Sequence, residues 1–353
     1  MNEPLAIPGD VPLLAMTRGG RTENVHRGRI SVVSAEDGRL LYAAGDAHAS
    51  AYVRSTAKPV QAVSSLLEGA ADAYGYEERH LAMMAASHRG SAEQIATLEE
   101  ILRLTGIDED ALAVQPTLPV GRSARDAYIA AGGKPRKLLH TCAGKHLGVL
   151  AWSKLKGWPL AGYIHPDHPA QQQILRVLKR WTEAEDAPVL LGKDGCGFPV
   201  ASMPLDRLAL AYGRLASPEF ATDVAADAEV GEEAKAAVEA AKVAKAMQAY
   251  PELVEGPGRL ASELLRDPNI VAKSGAHGVF AFGLRKEKLG IALTVSDGTE
   301  VAWPHIVKAL LEQLGGASEE TQARLERVFP AEFLNDAKEL AGSWQAVFEL
   351  ERR

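Results

Sequence analysis

Apolar positions along this chain change their period twice, and the changes mark its organisation. Near the start they fall in short runs, VPLLAMT (11–17), RISVVSA (29–35) and RLLYAAG (39–45). The second run is rich in β-branched residues, and Asp37-Gly38 turns it into the third, a hairpin signal. From about residue 59 the spacing becomes helical in PVQAVSSLLEGA, with Pro59 suited to a first helical turn. Ser91-Ala92-Glu93-Gln94 is a capping box for a helix running to about Gly106, and Asp108 is placed to cap the next one. Residues 168–184 form a further amphipathic helix.

Short apolar runs and turns return over 185–212, with a helical LDRLALAYGRLA at their end. An Ala-, Glu- and Lys-rich stretch, 221–249, reads as a helix solvated on one face. Strand character reappears in GVFAFGL (278–284) and GIALTVSDG (290–298), followed by the helix VAWPHIVKALLEQLGG. The tail, 319–353, reads as helical with a break at Phe329-Pro330. Strands at both ends with helices between predict an α/β fold, with a sheet built from both chain termini and a helical region inserted. The boundaries are approximately 1–58 and 185–353 for the α/β part and 59–184 for the mainly helical part.

Composition narrows the partners. With 353 residues, 46% of them hydrophobic, the chain is long enough to bury a large core. A net charge of -7 argues against a general nucleic-acid or anionic-membrane binder. No apolar run is long enough to span a bilayer, and MNEPLAIPGD lacks the pattern of a secretory signal. Two cysteines make no disulfide framework, which predicts a reducing, cytoplasmic home.

Several stretches carry candidate chemistry. In Arg54-Ser55-Thr56-Ala57-Lys58-Pro59, a Ser-x-x-Lys on a first helical turn puts hydroxyl and amine on one face. A lysine freed of its proton there is a general base toward serine. The plainer reading of Ser55 is a helix cap, and a second match, Ser153-Lys154-Leu155-Lys156, looks like a solvated helix end. Ser87-His88-Arg89-Gly90 ends a buried segment, either as the lip of a pocket or as a turn between helices. Cys142, Lys145 and His146 stand at i, i+3 and i+4, on one face if a helix starts there; a capped helix start with a buried thiol is the alternative. Cys196 lies between two glycines in Lys193-Asp194-Gly195-Cys196-Gly197-Phe198-Pro199, which also reads as a turn between strands. Two thiolates, an amine or imidazole and a water would make a four-coordinate zinc site. Lys273, in AKSGAHG, precedes the strand GVFAF and could face a pocket or solvent.

Together RSTAKPVQA, SHRGSAEQ, HTCAGKHLGVL, KDGCGFPV and AKSGAHGVF resemble, in order, the motifs of the rhizobial-type (class 3) L-asparaginases. The resemblance runs across nearly the whole chain. It departs at Ala143, where the family more often has serine. It implies a single catalytic unit with a fold like the serine β-lactamases and glutaminases: a mixed sheet from both termini with a helical region between. It also implies hydrolysis of L-asparagine to L-aspartate and ammonia through two Ser-Lys pairs, Ser55 with Lys58 and Ser87 with Lys273. Ser55, activated by Lys58, would be the nucleophile, with Ser87 as the alternative. The family's zinc site falls on Cys142, Lys145 and Cys196, while Arg54, His88, Asp194 and His146 are candidates for binding substrate. A homodimer is the expected assembly. The rival readings are a related serine-lysine hydrolase, either a glutaminase or a penicillin-recognising enzyme, and a non-catalytic zinc-binding protein of the same fold.

Overall fold

The computed structural model describes residues 7–184, 189–221 and 230–353. The readings made for residues 1–6, 185–188 and 222–229 lie outside them. The chain divides into two compact units. One takes the residues up to Thr56, Met203–Ser217 and Asp267–Arg353; the other takes Ala57–Ser202 and Pro218–Arg266.

The first unit is built on a nine-stranded sheet drawn from both ends of the chain. In chain order the strands of the protein are β1 (Val11–Arg18), β2 (Arg21–Ser34), β3 (Leu40–Ala44), β4 (Ser50–Tyr52), β5 (Leu190–Lys193), β6 (Pro199–Pro204), β7 (Ile270–Ala276), β8 (Val279–Leu284), β9 (Leu289–Val295), β10 (Glu332–Leu334), β11 (Leu340–Ala346) and β12 (Glu351–Arg352). The large sheet runs β10-β11-β1-β2-β9-β8-β7, with β3 against β2 and β12 against β3. All its pairings are antiparallel, which narrows the expected mixed sheet. Hairpins join β1 to β2 and β7 to β8 to β9, and short turns permit only antiparallel neighbours. The Asp37-Gly38 hairpin forms between β2 and β3, with Gly38 at φ 68° and its N–H donating to Ser34 O at 3.0 Å.

Alternation sorts the sheet's two faces. Phe280 of β8 packs against Trp303, 5.5 Å between ring centroids, and Trp303 starts the helix Trp303–Leu314. Gly290 of β9 faces the other way, toward the helix Leu205–Ala216. A Cβ on Gly290 would lie 1.9 Å from Ala209 O, so only glycine lets this helix lie so close.

The tail corrects the sequence reading. The helix Glu319–Val328 forms, but residues 332–352 then give β10, β11 and β12 instead of more helix. β11 is held by a partner more than 300 residues away, with Trp344 opposite Met16, and that long-range ladder overrides local preference.

The second unit is mainly helical. Its helices include Lys58–Leu66, Glu78–Met84, Ala92–Thr105, Ala143–Leu155, Pro169–Trp181 and Val230–Ala249. Ser91 caps Ala92–Thr105 through the capping box with Gln94, and Gly106 closes it at φ 59°. Every residue of Lys58–Leu66 is buried, so this helix is the unit's central rod. Residues 189–202 and 230–266, assigned by sequence to the α/β part, belong to this unit. Their β5–β6 hairpin is antiparallel, and its turn holds Asp194–Phe198.

Candidate active site

Lys58 opens its helix fully buried, and its Nζ donates to Ala86 O at 2.7 Å and to Ser87 Oγ at 2.9 Å. The sequence reading gave Lys58 to Ser55 and Ser87 to Lys273, whereas this hydrogen bond joins Lys58 to Ser87. The reason lies in how the loop after Glu78–Met84 is tied. Ser87 N donates to Val254 O at 2.8 Å, and His88 N donates to Thr141 O at 3.2 Å. Arg89 N and Ser91 N both donate to Gln94 Oε1. Gln94 Nε2 in turn donates to the carbonyls of Glu252 and Leu253. The loop is therefore fixed over the start of the Lys58 helix, with the Ser87 hydroxyl half-buried beside the amine.

His88 is completely buried. Its Nε2 donates to His140 O at 2.7 Å, which fixes the tautomer and leaves Nδ1 without a proton. Burial, aided by the positive charge of Lys58 and opposed by the His140 carbonyl, pushes its pKa down to about 4. His88 thus ties the Ser87 loop to the stretch that carries Cys142, as a neutral imidazole.

Cys142 stands at the N-terminus of the helix Ala143–Leu155, buried, with its backbone N–H donating to His140 Nδ1 at 3.1 Å. Cys196, from the β5–β6 turn, is buried too, and its thiol hydrogen-bonds Cys142. That bond, with the charges of Lys58 and Lys145, holds Cys142 well below the ordinary thiol range despite burial. The same bond and burial push the Cys196 thiol up. Lys145 Nζ donates to Cys196 Sγ at 3.2 Å and lies over the Phe198 ring at 4.2 Å. Burial disfavours its charge, but Cys142, Cys196 and Asp194 outweigh that and raise its pKa.

This approach is set by one glycine. A Cβ at Gly144 would lie 2.0 Å from Met83 O, so the helix carrying Lys145 touches the backbone of the helix that leads into Ser87. Asp194 shapes the Cys196 turn, its Oδ1 accepting from Gly195 N at 2.9 Å and its N–H donating to Phe198 O. His146 is fully buried, with Nδ1 2.6 Å from Tyr163 OH and its ring on Phe198 at 4.3 Å.

Ser55, Arg54 and Lys273 belong to the α/β unit. Arg54 and Ser55 lie in a 3-10 turn, Arg54–Ala57, and Arg54 takes φ 47°, a left-handed conformation that costs about 1 kcal/mol. Tyr212 OH donates to Thr56 O at 2.8 Å and anchors that turn. Ser55 is therefore no helix cap; the cap position before Lys58 is Ala57. Lys273 is fully buried in β7, and its Nζ donates to Ser274 O at 3.0 Å.

The structure thus gathers Lys58, Ser87, His88, Cys142, Lys145, His146, Asp194 and Cys196 into the helical unit. Sequence reasoning gave no role to His140, Tyr163 or Phe198. His140 stood in the same polar stretch as Cys142, but Tyr163 carried no motif at all.

Among the described residues no three His, Cys, Asp or Glu side chains gather as a metal site. A metal here would need the lysine as a third donor. Two thiols and one amine suit zinc, a borderline-soft ion, with water as the fourth ligand. The donor set therefore fits, provided Lys145 releases its proton on binding.

No helix among the described residues is long and apolar enough to cross a membrane. No curated protein matches the chain. Among solved structures the chain is similar to Mglu in its native form, at 14% identity, over 85% of this chain and 63% of that one, with a TM-score of 0.42. A β-lactamase from Mycobacterium bovis matches at 14% identity, over 81% of this chain and 94% of its own, with a TM-score of 0.41. A Bacillus glutaminase in 4.3M NaCl matches at 14% identity, over 82% and 91%, with a TM-score of 0.37. The family model described as L-asparaginase II matches residues 14–346. The chain belongs to the L-asparaginase II family, and with it to the amidohydrolases.

Proposed function

We propose that the protein hydrolyses L-asparagine to L-aspartate and ammonia through a serine acyl-enzyme. The observation that carries this reading is the 2.9 Å hydrogen bond between the buried Lys58 Nζ and Ser87 Oγ. Lys58 without its proton accepts that of Ser87, whose oxygen attacks the side-chain amide carbon. The proton passes to the departing nitrogen and ammonia leaves. Water then adds to the ester and releases aspartate, restoring the hydroxyl.

A second reading rests on the RSTAK stretch, where Ser55 precedes Lys58 by three residues. There Ser55 attacks, and Ser87 conveys the proton from Lys58 to the leaving group. Lys273 relays protons in either version. Arg54 and Asp194 have the charges that suit the α-carboxylate and α-amino groups of the substrate. Zinc, when bound by Cys142, Cys196 and Lys145, supplies a positive centre that holds polar groups of the substrate. The family reading also makes the protein a cytoplasmic homodimer, to be checked by light scattering in solution.

The test is ammonia release from L-asparagine and L-glutamine by the purified protein, with and without added zinc. Asparagine turnover well above glutamine turnover is expected. Glutamine used equally well, or nitrocefin hydrolysed, would replace the reading with a glutaminase or a penicillin-recognising enzyme. Mass spectrometry of the trapped acyl-enzyme separates a label on Ser87 from one on Ser55.

A further inference from the structure

Gln61 follows Lys58 by three residues, one helical turn along the same face. Its side chain is buried, and among the described residues its Oε1 has no hydrogen-bond partner within the protein. A buried amide oxygen in that state is costly, so native proteins nearly always satisfy it. Beside it is a cavity of about 10 Å³, lined among others by Gln61, Ser65, Met84, Lys145 and Gly148. That is the room one water molecule takes.

The lining is chemically complementary. A charged lysine has three N–H groups. One of those on Lys145 goes to Cys196 Sγ, and its Nζ rests on the Phe198 ring. Ser65 Oγ donates its own proton to Ala62 O at 2.8 Å, which leaves its oxygen free to accept. The residues lining this space of one water thus carry one donor and two acceptors, three partners being the usual number for a buried water.

We propose that this cavity is a water site: the water accepts from Lys145 Nζ and donates to Gln61 Oε1 and Ser65 Oγ. Gln61 is then a positioning residue. It acts through the water on Lys145, and through Lys145 on the Cys142–Cys196 pair. The bridge also runs from the helix of Lys58 to the helix of Lys145. The consequence for zinc rests on the function proposed above; the water itself does not.

The experiment is a crystal structure of the full-length wild type and of Gln61→Met, both free of metal, with zinc affinities measured by chelator competition. The wild type is expected to show one ordered water within hydrogen-bond distance of Gln61 and Lys145. Gln61→Met should lack it, with Lys145 Nζ withdrawn from Cys196 Sγ and zinc bound about 10-fold more weakly. Gln61→Glu, which keeps an acceptor, should retain the water and the contact of Lys145 Nζ with Cys196 Sγ. A dry cavity, or a Lys145 unmoved in Gln61→Met, overturns the proposal. If the wild type binds no zinc, the metal reading falls, while the water and the position of Lys145 still decide this one.

Discussion

Two buried lysines of the helical unit face two kinds of acid. Lys58 meets a carbonyl and a hydroxyl, Ala86 O and Ser87 Oγ. Lys145 meets the Cys196 thiol, which is paired with Cys142, over an aromatic ring. An alcohol stays protonated at neutral pH, so Ser87 Oγ meets Lys58 as a neutral group. A thiol bonded to another thiol and facing two cations, Lys58 and Lys145, gives up its proton more readily, and Cys142 is held well below the ordinary thiol range. The same side chain at similar burial is thus suited to different work. Beside an alcohol, lysine can take a proton in a reaction. Beside a thiolate it is a held cation, and a metal must displace its proton to use it.

The largest effect should come from exchanging each lysine for methionine, which keeps the stem and removes the amine. Lys58→Met is expected to lower asparagine turnover by roughly 10³-fold while weakening zinc far less than the loss of Lys145 does. Lys145→Met should weaken zinc by roughly 10²-fold or more, measured by chelator competition. If both variants lose both properties equally, the two regions are one device and the contrast drawn above is wrong.

Next is the contact that sets the two regions side by side. Gly144→Ala would place a Cβ on Met83 O, so it should destabilise the protein by about 3 kcal/mol in urea unfolding. A variant as stable as the wild type would mean that the helices part without cost.

His88 ties the Ser87 loop to the Cys142 stretch as a neutral imidazole. Its pKa is lowered from 6.5 to about 4, chiefly by burial, so the unfolded chain binds more protons than the native state between those values. Stability therefore falls as pH drops from about 6.5 to about 4. The full cost, of order 3 kcal/mol, is reached below pH 4. Unfolding measured near neutral pH and near pH 4 should lose this part of the slope in His88→Gln. An unchanged slope in that variant would show that His88 is charged in the native state.

The smallest effect is at the capping box. Ser91→Ala should cost about 1 kcal/mol and loosen the Ser87 loop. It should lower turnover more than zinc affinity, because Gln94 holds Arg89 and Ser91 rather than the thiol stretch.

Much of the local structure was legible in the residues. The Asp37-Gly38 hairpin, the Ser91–Gly106 helix with both its ends, and the helix at 205–216 form where period, caps and turn residues put them. Each of these signals spans a few residues. The motifs were legible for the same reason, and the family they suggested is the one the chain belongs to.

What the sequence left open was which motif meets which, and where a weak local signal yields to a distant partner. Lys58 reaches a serine 29 residues on, and Lys145 a thiol 51 residues on. Residues 332–352 read as helix yet became strands, because β1 and β3 offered ladders from the far end of the chain. Local periodicity fixes which face of an element is apolar. Only the packed structure, through backbone ties such as Ser87 to Val254 and His88 to Thr141, decides which polar groups share a buried space and so which proton each one holds.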